Sequence, residues 1–264
     1  MPARKPEGPP PPPVVQRLRI RYAKRDRLRF ISHRDVARAF ERAIRRAGLP
    51  IALSAGFTPH PKVSWLGAAP TGVASEAEYV EIGLATACDP AAVAAALDQS
   101  LPPGLDIVEC VEASTSGFAD RIGASEWQIT LEDVDRDEVA SALAAFLAAD
   151  EVLVERKTKD GRRPVDARSA VVAAAVSAQV SARLADGPAS CAIIHLVARQ
   201  TTPAVRPDDV LAALRAVAGL ELSSPPKAVR LAQGELGEEG VIADPLAPDR
   251  AAGSVTSREA EVGA

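Results

Sequence analysis

Twice along this chain the apolar pattern moves between the two-residue period of a strand and the 3.6-residue period of a helix, in the same order each time. That order constrains the fold more than any other feature. In the first stretch Leu18, Ile20 and Tyr22 alternate with Arg17, Arg19 and Arg21, the pattern of a half-buried strand. A helix is expected from Ser32 to Ala47, opened by Ser32 with Asp35 three residues on and stopped by Gly48 and Pro50. A short strand (Ile51–Leu53), a Gly/Pro loop (Ser54–Lys62) and strands near Val63–Leu66 and Tyr79–Leu84 follow. A helix (Pro90–Leu101) and a strand (Leu105–Val111) close the stretch.

The second stretch reads strand (Trp127–Leu131), helix (Arg136–Ala148), strand (Val152–Lys157), a segment at Val165–Ala182, strand (Ala192–Arg199), helix (Pro207–Val217) and strand (Ala228–Gln233). Within it, Ser169–Ala182 fits helix or strand equally, because Val and Ala suit both. Both stretches approximate β-α-β-β-α-β, the order of the split βαβ motif. The expected class is therefore α+β, with two tandem ferredoxin-like units at 16–114 and 125–233. A chain of 264 residues is long enough for two such units. Only 3% of residues are aromatic, so the core is expected to rest on Ala, Val and Leu. Pro9 to Pro13 mark residues 1–15 as a disordered proline-rich tail, and the Gly/Glu/Ala/Asp/Pro composition of 234–264 marks a disordered acidic one.

The net charge of −4 hides an asymmetry: residues 1–50 hold 14 Lys/Arg against 4 Asp/Glu, and the rest hold 17 against 31. A basic surface on an acidic body suggests a phosphate-rich partner. Cys88, Cys110 and Cys191 are odd in number and widely spaced, which argues against a disulfide framework. With no C-x-x-C, Walker, dinucleotide, H-E-x-x-H or G-x-S-x-G motif, neither metal nor cofactor is expected. No apolar run approaches the ~18 residues that span a bilayer, and Met1-Pro2-Ala3-Arg4-Lys5 leads into prolines rather than a signal-peptide core. The expected location is cytoplasmic.

Four features can carry chemistry. On the helix 32–47, Val36, Phe40, Ala43, Ile44 and Ala47 share one face, while Arg34, Arg38, Arg42 and Arg45 share another, a multidentate donor row suited to phosphate oxygens. The bland alternative is a solvated face paired with acidic neighbours, which are scarce in this segment. Arg17, Arg19 and Arg21 are expected to point from the open face of the sheet, a known kind of RNA platform, with Trp65 as the one nearby aromatic. The loop Ser54-Ala55-Gly56-Phe57-Thr58-Pro59-His60-Pro61-Lys62 presents His60 and Lys62 on a proline-stiffened backbone; a purely structural loop is the alternative. His33 lies in the first helical turn and leans toward the packed side. Paired with His60 it becomes a candidate general acid or base, and alone it is a structural histidine. Glu76, Glu78 and Glu81 read as a solvated strand edge before a metal set, and His195 receives no role.

The runs Arg29-Phe30-Ile31-Ser32-His33-Arg34-Asp35, Arg42 to Pro50, Ser54 to Lys62 and Gly72-Val73-Ala74-Ser75-Glu76-Ala77-Glu78-Tyr79, in that order, resemble the radical-SAM-linked family, a bacterial domain of unknown function. The resemblance spans roughly residues 16–233 and is sharpest over 29–81. It implies a separate radical SAM protein as partner, but no established activity. The leading expectation is an accessory that binds tRNA or rRNA for that enzyme, with Arg34, Arg38, Arg42 and Arg45 on phosphates and His60 and Lys62 at the nucleotide near the modification site. A metal-free endoribonuclease using His33 and His60, and a protein-docking module for the radical SAM partner, remain as alternatives.

Overall fold

The computed structural model describes residues 11–158, 161–178 and 191–253. Residues 1–10 of the proline-rich tail, 179–182 of the ambiguous segment and 254–264 of the acidic tail lie outside them. The fold is α+β, with antiparallel sheets and five helices among the described residues. None of these helices is long and apolar enough to cross a membrane. The chain divides into two compact units, residues 1–119 with 245–264, and residues 120–244.

In the first unit, β1 (Gln16–Lys24) pairs antiparallel with β3 (Ala74–Leu84) on one side and β4 (Leu105–Glu112) on the other. The short β2 (Val63–Leu66) pairs with the far edge of β3, so the order is β4-β1-β3-β2. The alternation in β1 explains its place: Leu18, Ile20 and Tyr22 are buried against α1 (His33–Arg46) and α2 (Pro90–Ser100). Val36, Phe40, Ala43 and Ile44 of α1 and Val93 and Leu97 of α2 complete that core. Removing one such large side chain from water is worth about 1.5–3 kcal/mol. Residues Ile51 and Leu53 form isolated bridges to Leu84 and Pro61 rather than the expected strand, since Pro50 and the loop leave no room for a ladder.

Helix α1 begins where the sequence suggests. The Ser32 hydroxyl accepts from the Asp35 amide (3.2 Å) and donates to the Asp35 carboxylate (2.6 Å). That contact holds the Asp35 carboxyl below the usual carboxylate range. The stabilisation from Asp35 is therefore full above that range and is lost as pH falls through the lowered value. Ser32→Ala is expected to cost about 1 kcal/mol, read as a lower urea midpoint with an unchanged slope. Gly48 ends the helix in the left-handed region at φ 63°, where a side chain is strained.

In the second unit β5 (Ala124–Glu132) lies between β10 (Lys227–Gly234) and β9 (Cys191–Arg199), and β8 (Val171–Ala178) pairs with β9. The order β10-β5-β9-β8 repeats the relative order of the first unit. Helices α3 (Arg136–Ala148) and α4 (Pro207–Ala218) bury Val139, Phe146, Val210 and Leu214. The expected second strand, 152–157, is not in this sheet. It forms β6 (Leu153–Thr158), which among the described residues pairs only with β7 (Gly161–Asp166), and Arg156 ties that hairpin to Asp209 of α4 (3.0 Å). The ambiguous segment supplies the sheet strand instead. Its Val171, Val172 and Val176 are β-branched and stiff, which favours the extended chain once a partner edge is available.

The tail expected from residue 234 is ordered as far as 253. A bridge joins Leu236 to Ile242, and residues 247–253 are helical and belong to the first unit. Leu246 and Asp249 are buried there. The polar, Gly- and Pro-rich composition of the segment does not prevent this, because one buried leucine and one paired carboxylate anchor it.

Candidate functional site

The outer side of α1 carries the arginines in a continuous exposed row. Arg34, Arg38, Arg42 and Arg45 are all exposed, while Val36, Ala39, Phe40, Ala43 and Ile44 on the opposite side are buried. Arg38 approaches Asp35 at 3.6 Å with both side chains more than half exposed, a pair worth little in water. Among the described residues, Arg34, Arg42 and Arg45 have no ion-pair partner. Arg46, one position beyond the row, donates to the Ser100 carbonyl (3.0 Å).

Next to this row runs a groove of about 90 Å³, lined by Ala37, Phe40, Glu41, Ile44, His60, Pro61, Val63 and Trp65. Three pieces of chain build it. Helix α1 gives one wall, β2 gives the floor with Val63 and Trp65, and the loop 54–62 gives the other wall. That loop is closed on itself: the Ser54 amide donates to the His60 carbonyl (2.8 Å), and the His60 amide donates to the Ser54 hydroxyl (3.0 Å). Gly56 sits at φ 141°, a conformation that disfavours side chains, and turns the loop so that Phe57 stands 70% exposed at its tip. His60 and Lys62 are exposed as expected.

Trp65 is the centre of an aromatic cluster. Phe40, His33 and Tyr22 meet it edge-on at centroid distances of 5.1, 5.2 and 6.0 Å. His33 therefore touches Trp65, and His60 lines the groove that Trp65 floors, but His33 does not line the groove. Of the two histidines, His33 meets the indole ring, and His60 shares with Trp65 the lining of the groove.

The strand arginines are placed otherwise than expected. Leu18, Ile20 and Tyr22 do face the helices, but the opposite face is not bare. Arg19 is buried; it bonds Glu81 (3.1 Å), the Thr115 carbonyl (2.7 Å) and Asp249 (2.6 Å), and lies over the Phe118 ring. Arg17 pairs with Glu81 at 3.3 Å, and Arg21 donates to the Glu76 carbonyl at 2.8 Å. Glu76, Glu78 and Glu81 likewise form no solvated edge. Glu76 joins Asp106 (2.9 Å from Arg25) in holding Arg25, and its hydrogen bond pushes that guanidinium further up. Glu78 is buried and accepts from the Ala69 amide (3.1 Å). No set of three or more His, Cys, Asp or Glu residues suited to a metal occurs among the described residues. Burial pushes the Cys110 thiol up to about 12, which leaves it protonated and unreactive at neutral pH. His195 has a neighbour that the sequence did not suggest, the Ser177 hydroxyl at 3.2 Å.

Glu41 and Phe30 are further residues of note that sequence reasoning passed over. Glu41 lines the groove, and Phe30 is 59% exposed under the Arg29 guanidinium. Glu41 was visible as the one acid between Arg38 and Arg42, but only the fold places it on a groove.

The chain is thus α+β with antiparallel sheets, and in its first unit an arginine-faced helix lies beside an aromatic groove. The chain belongs to the bacterial family described as an uncharacterized protein conserved in bacteria (DUF2344), whose pattern matches residues 17–207. No curated protein matches it. Among solved structures it is similar to an unknown protein from Galdieria sulphuraria at 14% identity, over 81% of this chain and 98% of that one. The TM-score of 0.22 is too low for that likeness to inform the fold.

Proposed function

We propose that this protein binds single-stranded RNA through the outer face of α1. The observation that carries the reading is the row Arg34, Arg38, Arg42 and Arg45, exposed, with no ion-pair partner for three of the four among the described residues. Guanidinium groups so placed offer forked donors to successive phosphates. The exposed rings of Phe57 and Phe30 lie on the segments that flank α1 in sequence and suit unstacked bases, and Lys62 adds a cation there. The basic contact surface in this reading is the helix rather than the sheet, since Arg19 is engaged internally. Both units are taken as ferredoxin-like, a reading supported by their shared strand orders and two helices each. The RNA would be tRNA or rRNA presented to a separate radical SAM enzyme, the partner that the resemblance implies. Salt-dependent binding of the full chain to tRNA and rRNA fragments, wild type beside Arg38→Glu/Arg42→Glu, is the test.

A second reading, metal-free RNA cleavage, is favoured by one observation, that His33 meets the Trp65 ring while His60 lines the same groove as Trp65. It expects cleavage of labelled RNA in EDTA that disappears in His60→Ala. Intact RNA after prolonged incubation with the wild type removes it.

A further inference from the structure

The groove and the arginine row are neighbouring strips of one helix. At about 100° per residue, Ala37, Phe40, Glu41 and Ile44 form one strip and Arg34, Arg38 and Arg45 the next, with Glu41 on the boundary. One water occupies on the order of 10–15 Å³ of such space, so a groove of about 90 Å³ suits a single planar ring system. Half-buried Trp65 supplies the apolar aromatic surface, with Phe40 behind it in the core, and the polar residues of the lining are Glu41 and His60, both exposed.

Glu41 is the informative group. Arg38 lies three residues before it and Arg45 four after, the spacings at which helical ion pairs form, yet among the described residues Glu41 pairs with neither. An unpaired, acceptor-only carboxylate beside aromatic rings fits a base with two adjacent N–H donors. Among the four RNA bases, guanine presents that pair on its Watson–Crick edge, through N1–H and the N2 amino group. The phosphates on either side of such a base fall along Arg34, Arg38 and Arg45.

We infer that the groove between α1 and the loop 54–62 is a guanine pocket, with Glu41 reading the Watson–Crick edge, Trp65 stacking against the ring and the arginine row holding the flanking phosphates. This rests on the RNA reading above and adds base selectivity to it. The test is fluorescence anisotropy of the full chain with oligouridines of about ten nucleotides carrying one central guanosine, inosine or adenosine. Wild type is expected to bind the guanosine RNA about tenfold tighter than the adenosine RNA, the equivalent of ~1.4 kcal/mol. Inosine, which lacks the N2 amino group, should lose most of that preference. In Glu41→Gln the difference between guanosine and adenosine should vanish. Equal binding of all three RNAs by wild type, or a guanosine preference that survives Glu41→Gln, overturns the pocket and leaves the RNA reading standing. Failure of wild type to bind any of them overturns both.

Discussion

Reversing two arginines of the exposed row, Arg38→Glu/Arg42→Glu, is expected to lower affinity for single-stranded RNA on the order of a hundredfold at low salt. Each charge-assisted contact to a phosphate is worth about 1.5 kcal/mol, so losing two removes about 3 kcal/mol, before any repulsion from the new carboxylates. The salt dependence should change with it. Counterion release from a single strand contributes about 0.7 to the logarithmic slope per neutralised phosphate, so two lost contacts flatten the slope by about 1.4. The fold should be untouched: both positions are exposed on α1, glutamate is a good helix former, and Arg38 gives up only its loose 3.6 Å approach to Asp35. Far-UV circular dichroism checks that point. The neutral pair Arg38→Gln/Arg42→Gln should show the flattened slope with a smaller loss of affinity, because it removes contacts without adding repulsion. A double reversal whose affinity and slope match wild type ends the proposal that this face meets RNA.

Helix α1 was legible in the sequence almost to the residue. Its cap, its apolar strip and its arginine row all follow from spacings within 14 residues, and local rules act at that range. The same holds for the apolar face of the strand Arg17–Tyr22, where Leu18, Ile20 and Tyr22 are buried as expected. What faces the other side of that strand was not legible. Arg19 meets Asp249 from 230 residues away, and no periodicity marks that aspartate as its partner. Likewise the choice between β6 and β8 as the strand beside β9 depends on which edge each finds, since the β6 segment looks extended in isolation and the β8 segment fits helix or strand equally. The groove belongs to the same category. The loop with His60 was visible, and so was the helix, but Glu41, Trp65 and His60 become one site only when β2 is laid beneath α1. Glu76 and Glu81 looked solvated because their partners, Arg25, Arg17 and Arg19, reach them across strand pairs or loops rather than along one element.

Removing the carboxylate of Asp249 is expected to be among the most destabilising single changes in the first unit. Its Oδ2 accepts from the Arg19 guanidinium at 2.6 Å, and its Oδ1 accepts from the Ser114 and Thr115 amides at 3.0 and 2.9 Å and from the Thr115 hydroxyl at 2.6 Å. The Asp249 side chain is fully buried and that of Arg19 is 5% exposed, so water does not replace what is lost. Breaking a buried pair from one side costs about 3–5 kcal/mol when the remaining charge is left alone. Arg19 keeps Glu81 at 3.1 Å and the Thr115 carbonyl at 2.7 Å, which places Asp249→Ala at the lower end, about 3 kcal/mol. For a unit of this size that corresponds to a fall of roughly 6–12 °C in Tm. Because the protein has two units, the measurement needs a probe confined to the first. Trp65 and Trp127 are the two tryptophans, one in each unit, so a Trp127→Phe background makes the indole fluorescence report on the first unit alone. The neighbouring pair Arg250–Glu109, at 2.7 Å but with side chains 40% and 28% exposed, serves as the contrast. Arg250→Ala should cost no more than about 1 kcal/mol, since exposed ion pairs contribute little. If Asp249→Ala behaves like Arg250→Ala, the buried network does not anchor residues 247–253, and the face of β1 that carries Arg19 is open to a partner after all.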